Sequence, residues 1–213
     1  MTTLLLIRHG QSLANLSRYF AGHTDPVLTD LGLRQAACTA DFLVRRYPIS
    51  AVYSSDLKRA YQTGAAVAEK LALPMHQETG LREIYAGQWE GKTFDQIREQ
   101  FAADYHCWMT DIGHCRPTGG ESAAELLQRV EETLGRIGEE NPHAVVAVAT
   151  HATVIRVLQS KISGVGLDGM KDVPWVVNAS VTELCYEDGQ FSLGKIGQAE
   201  HLNDLRTDMP ANV

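Results

Sequence analysis

What this sequence lacks narrows it before any motif is considered. No apolar run comes near the roughly 18–20 residues that a bilayer-spanning helix needs. The apolar stretch 4–7 is too short for a signal-peptide core, and Arg8, His9 and Gly10 follow it directly. A basic excess is missing too: 19 Lys and Arg stand against 26 Asp and Glu, a formal net charge of -7. That balance argues against a general binder of nucleic acid or acidic membranes, while leaving room for a local basic pocket. Cysteines are few: Cys38, Cys107, Cys115 and Cys185, with no CxxC spacing. Reduced thiols are expected rather than a disulfide framework. There is no linker, repeat or low-complexity stretch, and no acidic cluster suited to magnesium. What remains, 44% hydrophobic and 21% charged, is an ordinary globular composition, long enough for one substantial core. The expectation is one domain over 1–213, soluble and cytoplasmic, of open oligomeric state.

The patterning alternates strands with helices. Residues 4–7 form a fully apolar run, expected as a buried strand. Thr29 opens a helix with one apolar face through Leu43, ending before Pro48. Residues 51–53 predict a second strand, and Asp56 a cap for a helix running towards Leu73. A helix over 93–108, a loop over 110–120, a long amphipathic helix over 121–140 and an apolar strand over 144–148 follow. His151 begins another helix. Residues 181–186 and 191–196, around Glu187, Asp188 and Gly189, predict a C-terminal hairpin, and the polar tail after Glu200 is expected to fray. This order implies a three-layer α/β/α sandwich with a mostly parallel central sheet.

Ligands of such sheets bind beyond the carboxyl ends of the strands, and three sets of reactive residues fall there. Arg8 and His9 follow the first strand, Ser54, Ser55 and Arg59 the second, and His151 the strand over 144–148. One histidine is ordinarily structural; two histidines and two arginines at three strand ends are hard to explain as packing. Their chemistry suits a phosphate ester. Arginine offers a planar fork that matches two phosphate oxygens and stays charged. A histidine with a reference pKa of about 6.5 is largely neutral at pH 7 and can attack phosphorus without a dedicated base. Neighbouring strand side chains point to opposite faces, so Arg8 and His9 share a site only if the strand ends there; Gly10 permits that. Ser12 can then cap a short helix whose amides favour an anion.

The run Arg8, His9, Gly10, Gln11, Ser12 with Asn15 resembles the RHG signature of the histidine phosphatase superfamily, which includes the cofactor-dependent phosphoglycerate mutases. The resemblance extends over nearly the whole chain. It includes Gly22, His23, Thr24 and Asp25; Ser54 through Arg59 to Thr63; Arg82 and Glu83 with Gly87, Trp89 and Gly91; Gly119, Gly120, Glu121 and Ser122; and Thr150, His151 and Ala152. It implies that His9 becomes phosphohistidine, while Arg8, Arg59 and His151 bind the phosphoryl group and stabilise its equatorial charge. Asn15 would donate to a phosphate oxygen, and Gln11, Gly22 and Ala152 would complete the phosphate- and substrate-binding set. Glu83 would protonate the leaving oxygen and then activate water, a role that partial burial favours. No metal and no cofactor are implied. The partner is a small phosphorylated metabolite.

Within that resemblance, several positions depart from the mutases. Ala21 replaces a hydroxyl residue and Ala86 a tyrosine, with Tyr85 adjacent. An arginine pair near Trp108 is missing, leaving only Arg116. The short segment to Glu121 offers little material for a lid. A pocket without that second anion clamp releases its phosphoryl group to water more readily, so hydrolysis is the primary expectation. A phosphoglycerate mutase and a non-catalytic phospholigand-binding module are the alternatives. Ala152 stands where the family usually has Gly. Asn178 and Ser180 resemble a late supporting segment. The pairs His106, Cys107 and His114, Cys115 match no common zinc spacing; they are expected at a helix end and loop near the site mouth, where His114 reaches substrate.

Overall fold

The structure, a computed structural model, describes residues 1–207. Its centre is one six-stranded sheet in the order β3-β2-β4-β1-β5-β6. The strands are β1 (Thr2–Arg8), β2 (Ile49–Ser54), β3 (Met75–Gln77), β4 (Val145–Thr150), β5 (Val181–Glu187) and β6 (Gln190–Leu193). β3, β2, β4 and β1 run parallel and β5 is antiparallel to β1, so the sheet is mostly parallel as expected. β1 and β4 are apolar on both faces because both faces are covered. Leu4, Leu6, Val146 and Val148 pack into one core, and Leu5, Ile7, Val52 and Ala147 into the other.

Helices fill the two outer layers. On one side lie α2 (Asp30–Arg46) and α3 (Lys58–Leu71), which follow the five-residue α1 (Leu13–Ser17). On the other lie α6 (Ala123–Glu140) and α7 (Ala152–Ile162), preceded by α4 (Phe94–Gln100) and α5 (Ala102–Thr110). In α6, Leu126, Val130, Leu134 and Ile137 recur at helical spacing and are fully buried. Its start is fixed by a capping box between Ser122 and Glu125.

Four local expectations change. Asp56 does not cap α3; it forms an ion pair with Arg82, and the Lys58 N–H is satisfied instead by the Asp25 carboxylate at 2.6 Å. The helix expected over 93–108 is two helices, broken at Phe101 (φ -134, ψ 50), a bend that lets both Ile97 and Trp108 be buried. β3 has no counterpart among the expected elements, being three residues at a sheet edge. The tail after Glu200 is not frayed over its described part: a 3-10 turn at Glu200–Leu205 buries Leu202 and packs beside Cys38. Residues 208–213 lie outside the described residues. The C-terminal hairpin closes through Asp188 and Gly189, both at positive φ, as a two-residue turn requires. No described helix is long and apolar enough to cross a membrane.

Candidate active site

The site forms where β1, β2 and β4 end. β1 stops at Arg8, and at Gly10 a Cβ would lie 2.5 Å from the Gly32 carbonyl at the start of α2. Only glycine lets the chain leave the sheet there without displacing the helix. The termination brings consecutive residues into one pocket. The His9 N–H donates to the Thr150 carbonyl (3.0 Å), and its own carbonyl accepts from Asn178 Nδ2 (3.0 Å). Its ring Nδ1 lies 2.7 Å from the Gly10 carbonyl. A carbonyl only accepts, so Nδ1 carries the proton and Nε2 keeps its lone pair.

Two guanidiniums share the cavity with this imidazole. Arg8 is buried and donates to the Val176 carbonyl. Arg59, in the first turn of α3, is 1% exposed and reaches the carbonyls of Gly22 (2.8 Å) and Thr24 (2.9 Å). His151 precedes α7 and is fully buried, its ring edge-on to His9 at 5.2 Å. Its Nε2 lies 2.9 Å from Ser55 Oγ, which already accepts from the Leu57 N–H. The Ser55 hydroxyl hydrogen is therefore available to Nε2. With that hydrogen donated to Nε2 the ring proton falls on Nδ1, a buried atom with no hydrogen-bond partner among the described residues.

Asn15 is oriented by exhausting its oxygen. Oδ1 accepts from the Ser12 N–H and hydroxyl (3.0 Å each) and from Asn178 Nδ2 (3.3 Å), leaving Nδ2 as its donor. Glu83 is 9% exposed. Its Oε1 accepts from the Ile84 N–H (2.8 Å) and Oε2 from the Thr153 N–H (3.3 Å). Its backbone is held from two sides: the Glu83 carbonyl accepts from His23 Nε2 and from Arg129 Nη2, both 2.8 Å. The remaining Arg129 donors go to the carbonyls of Gly80 and Arg82 and to the Glu121 carboxylate. This one side chain clamps the whole turn that carries Glu83.

Burial sets the electrostatics. It lowers Arg8 to about 10, opposed by Glu83 and reinforced by Arg59, so Arg8 stays charged at neutrality. Burial, then Arg59 and Arg8, push His9 well below the ordinary histidine value; burial, then Arg59 and His9, do the same to His151. Both imidazoles are neutral at pH 7. Two like cations with neutral histidines at buried positions make a site that favours an anion.

Of the nine residues singled out in the sequence, Arg8, His9, Gln11, Asn15, Gly22, Arg59, Glu83 and Ala152 line one cavity of about 420 Å³. The ninth, His151, lies against His9. Gln11 turns its side-chain oxygen to the Thr29 hydroxyl (2.8 Å). His114 is not at the mouth: it is exposed between Asp111 and Asp168. Arg116 pairs with Glu125, and Ala21 lines the cavity without a hydroxyl. No group of three or more His, Cys, Asp or Glu side chains among the described residues could hold a metal. Sequence reasoning missed Ser55 as the partner of His151, Arg129 as the clamp on Glu83, and the aromatic wall of Phe94, Trp108 and Trp175. The wall has no motif signal, because aromatics in such stretches are usually core.

An α/β sandwich with an arginine- and histidine-lined anion pocket at its strand ends is the architecture of a phosphate-handling protein. The histidine phosphatase superfamily (branch 1) matches residues 4–199, and the chain belongs to that superfamily. It is 35% identical over 205 residues to the bifunctional protein Rv2228c of Mycobacterium tuberculosis, covering 94% of this chain and 55% of that protein; it thus spans about half the length of that relative. It is 31% identical to phosphoserine phosphatase 1 of Hydrogenobacter thermophilus, covering 96% of each. The solved structure of Bacillus stearothermophilus YhfR superposes with a TM-score of 0.90 at 29% identity, covering 95% of this chain and all of that one.

Proposed function

We propose that this chain is a phosphomonoester hydrolase that acts on a small phosphorylated metabolite through a phosphohistidine at His9. The observation that carries the reading is the His9 ring itself: Nδ1–H is tied to the Gly10 carbonyl, which leaves Nε2 bare in a cavity shared with two buried guanidiniums whose charges act on the ring. In the first step Nε2 attacks phosphorus, the P–O bond to the alcohol breaks, and Glu83 gives its proton to the departing oxygen. In the second, Glu83 takes a proton from water as that water attacks phosphorus, and His9 leaves with the N–P electron pair. Arg8, Arg59, Asn15 Nδ2 and His151 Nδ1–H donate to the phosphoryl oxygens as their charge spreads. Gln11, Gly22 and Ala152 shape the surrounding walls.

Hydrolysis rather than mutase transfer is favoured by Ala21 and Ala86, which supply no group to hold a second anion, and by Arg116, which is already paired with Glu125. The name of the Hydrogenobacter relative points the same way. Positive charge comes from arginine, so the reaction is assigned as metal-independent and free of cofactor. The reading treats 1–213 as one domain of a cytoplasmic protein without nucleic-acid or membrane partners. The test is trapping. Wild-type protein mixed with a labelled phosphomonoester and quenched in alkali should carry phosphate on His9, and His9→Ala should lose at least about 10³-fold in turnover while keeping its fold. Appreciable hydrolysis by folded His9→Ala sinks the mechanism.

A further inference from the structure

Among the described residues three arginines are at least nine-tenths buried: Arg8, Arg59 and Arg156. The first two line the strand-end cavity and Arg156 does not. It lines a second cavity of about 260 Å³, which shares Trp108 and Trp175 with the first. A cation taken out of water ordinarily finds a carboxylate. The Arg156 guanidinium instead stacks on the Trp175 ring at 4.1 Å, and its Nη2 donates to the Lys171 carbonyl at 2.9 Å. It forms no ion pair among the described residues, and its buried Nε has no hydrogen-bond partner there. Burial lowers its pKa to about 10, with Asp172 opposing, so it is charged at neutral pH. Lys171 and Asp172 are exposed and also line this cavity. Arg156, Lys171 and Asp172 together carry one net positive charge. The rest of the lining is apolar, and part of it is open to water: Met109 is 43% exposed.

We infer that this second cavity is a binding site, separate from the strand-end cavity, for a small organic monoanion: a carboxylate carried on an apolar or aromatic body. The carboxylate supplies the counter-ion that the fold leaves missing at Arg156, through charge-assisted hydrogen bonds in a setting of low dielectric. One negative charge cancels the net charge of the lining. The body leaves water for the indole of Trp175 and the apolar side chains beside it. A neutral ligand fits less well, because it covers the guanidinium and strips its hydration while returning no charge. Arg156 lies in α7, the helix that His151 begins, and the two tryptophans are common to both cavities, so an occupant sits one side chain away from the phosphoryl group. The inference stands without the hydrolase reading, since it concerns residues that reading does not use.

The experiment is calorimetry of the whole chain with phenylacetate, in saturating inorganic phosphate so that the strand-end arginines are occupied. One-to-one binding with a Kd below about 1 mM is expected. The neutral analogue 2-phenylethanol should bind at least about tenfold more weakly. Arg156→Met should weaken phenylacetate at least about tenfold, and Arg59→Ala less than about twofold. No binding of phenylacetate up to about 10 mM overturns the site. So does an alcohol that binds as well as the acid, or a folded Arg156→Met that binds the acid as wild type does. Should Arg156→Met fail to fold, Lys171→Glu at its exposed position replaces it, with a loss of at least about threefold expected and an unchanged affinity overturning the site. None of these readings depends on turnover, so failure here leaves the phosphohistidine mechanism to its own test.

Discussion

The charged and the aromatic residues that line the one cavity are placed by opposite rules. The charged and nucleophilic groups arrive from three strand ends and are almost wholly buried: Arg8, His9, Arg59 and His151 all lie at or below 5% exposure. Each is locked by a backbone carbonyl or a neighbouring side chain. The aromatics of the same cavity, the half-buried Phe94 and Trp175 and the buried Trp108, arrive from α4, the segment before β5 and α5, and are held by Phe20, Trp89 and Arg156. The strand-end groups meet the phosphoryl group, whatever alcohol carries it; the aromatic side chains line the rest of the same cavity. One superfamily can therefore keep its chemistry while relatives take different substrates, since substitutions among the aromatics leave the strand termini alone.

Glu83 lines the same cavity, and Glu83→Gln is the substitution with the largest expected contrast between substrates. An alkoxide needs a proton to leave, whereas p-nitrophenolate departs almost unaided. In single-turnover measurements of phosphoenzyme formation, Glu83→Gln should slow an alkyl phosphate by about 10²–10⁴-fold and p-nitrophenyl phosphate far less. Equal slowing of both would reassign Glu83 to positioning, and another group would have to donate the proton.

The same contrast decides what the sequence discloses. Arg8 and His9 share the site because β1 ends between them, so their meeting is written as a dipeptide; Ser55, Arg59 and His151 follow apolar runs that declare themselves as strands. Phe94, Trp108 and Trp175 meet only after folding, and helical periodicity assigns the first two to ordinary core. The break at Phe101 was hidden for the same reason: nothing in residues 93–108 is a helix breaker, and tertiary burial of Ile97 and Trp108 bends the chain. Asp56 had the residue type of a cap but found Arg82, an ion pair no local pattern contains. Arg129 was invisible as a clamp because its partners lie 46 to 49 residues away.

Arg129 tests how far the phosphoryl site depends on its support. Arg129→Met leaves the carbonyls of Gly80 and Arg82 without this donor in a half-buried setting, and strips one donor from the Glu83 carbonyl, which keeps His23, and two from the Glu121 carboxylate, which keeps the Tyr85 N–H. The expected cost is about 1–3 kcal/mol, read by urea denaturation. Alkyl-ester turnover should fall more than p-nitrophenyl phosphate turnover, because the turn carrying Glu83 loosens while Arg8 and His9 are untouched. An unchanged ratio between the two esters would confine Arg129 to stability.

The neutral histidines give a signature in pH that the aromatics cannot. In the folded protein, burial and the neighbouring arginines hold His9 and His151 well below their ordinary value, while in the unfolded chain each titrates near 6.5. Below about pH 6.5 the unfolded state binds protons that the folded state refuses, so stability falls as pH falls. At pH 5.5 each histidine should account for about 1.4 kcal/mol of that loss. His9→Gln should remove about half of the two-histidine contribution when unfolding is compared at pH 7.5 and 5.5. If the pH dependence of His9→Gln matches wild type, His9 is not the buried neutral group described.

The smallest expected effect is none, and it tests where the phosphoryl site gets its charge. A phosphomonoester brings about two negative charges at neutral pH. Arg8 and Arg59 bring two positive ones, and Arg8 remains protonated with its value lowered only to about 10. A divalent cation in the same pocket would face both guanidiniums, and Glu83 is the single carboxylate lining the cavity among the described residues. Charge repulsion from the arginines opposes a metal there before its ligands are considered. Saturating EDTA should therefore change kcat/KM by less than about twofold, whereas Arg59→Ala should cost at least about 10²-fold. If EDTA abolishes turnover and zinc or magnesium restores it, the two guanidiniums are not sufficient. A cation would then have to enter the phosphoryl site together with the substrate, held mainly by phosphate oxygens.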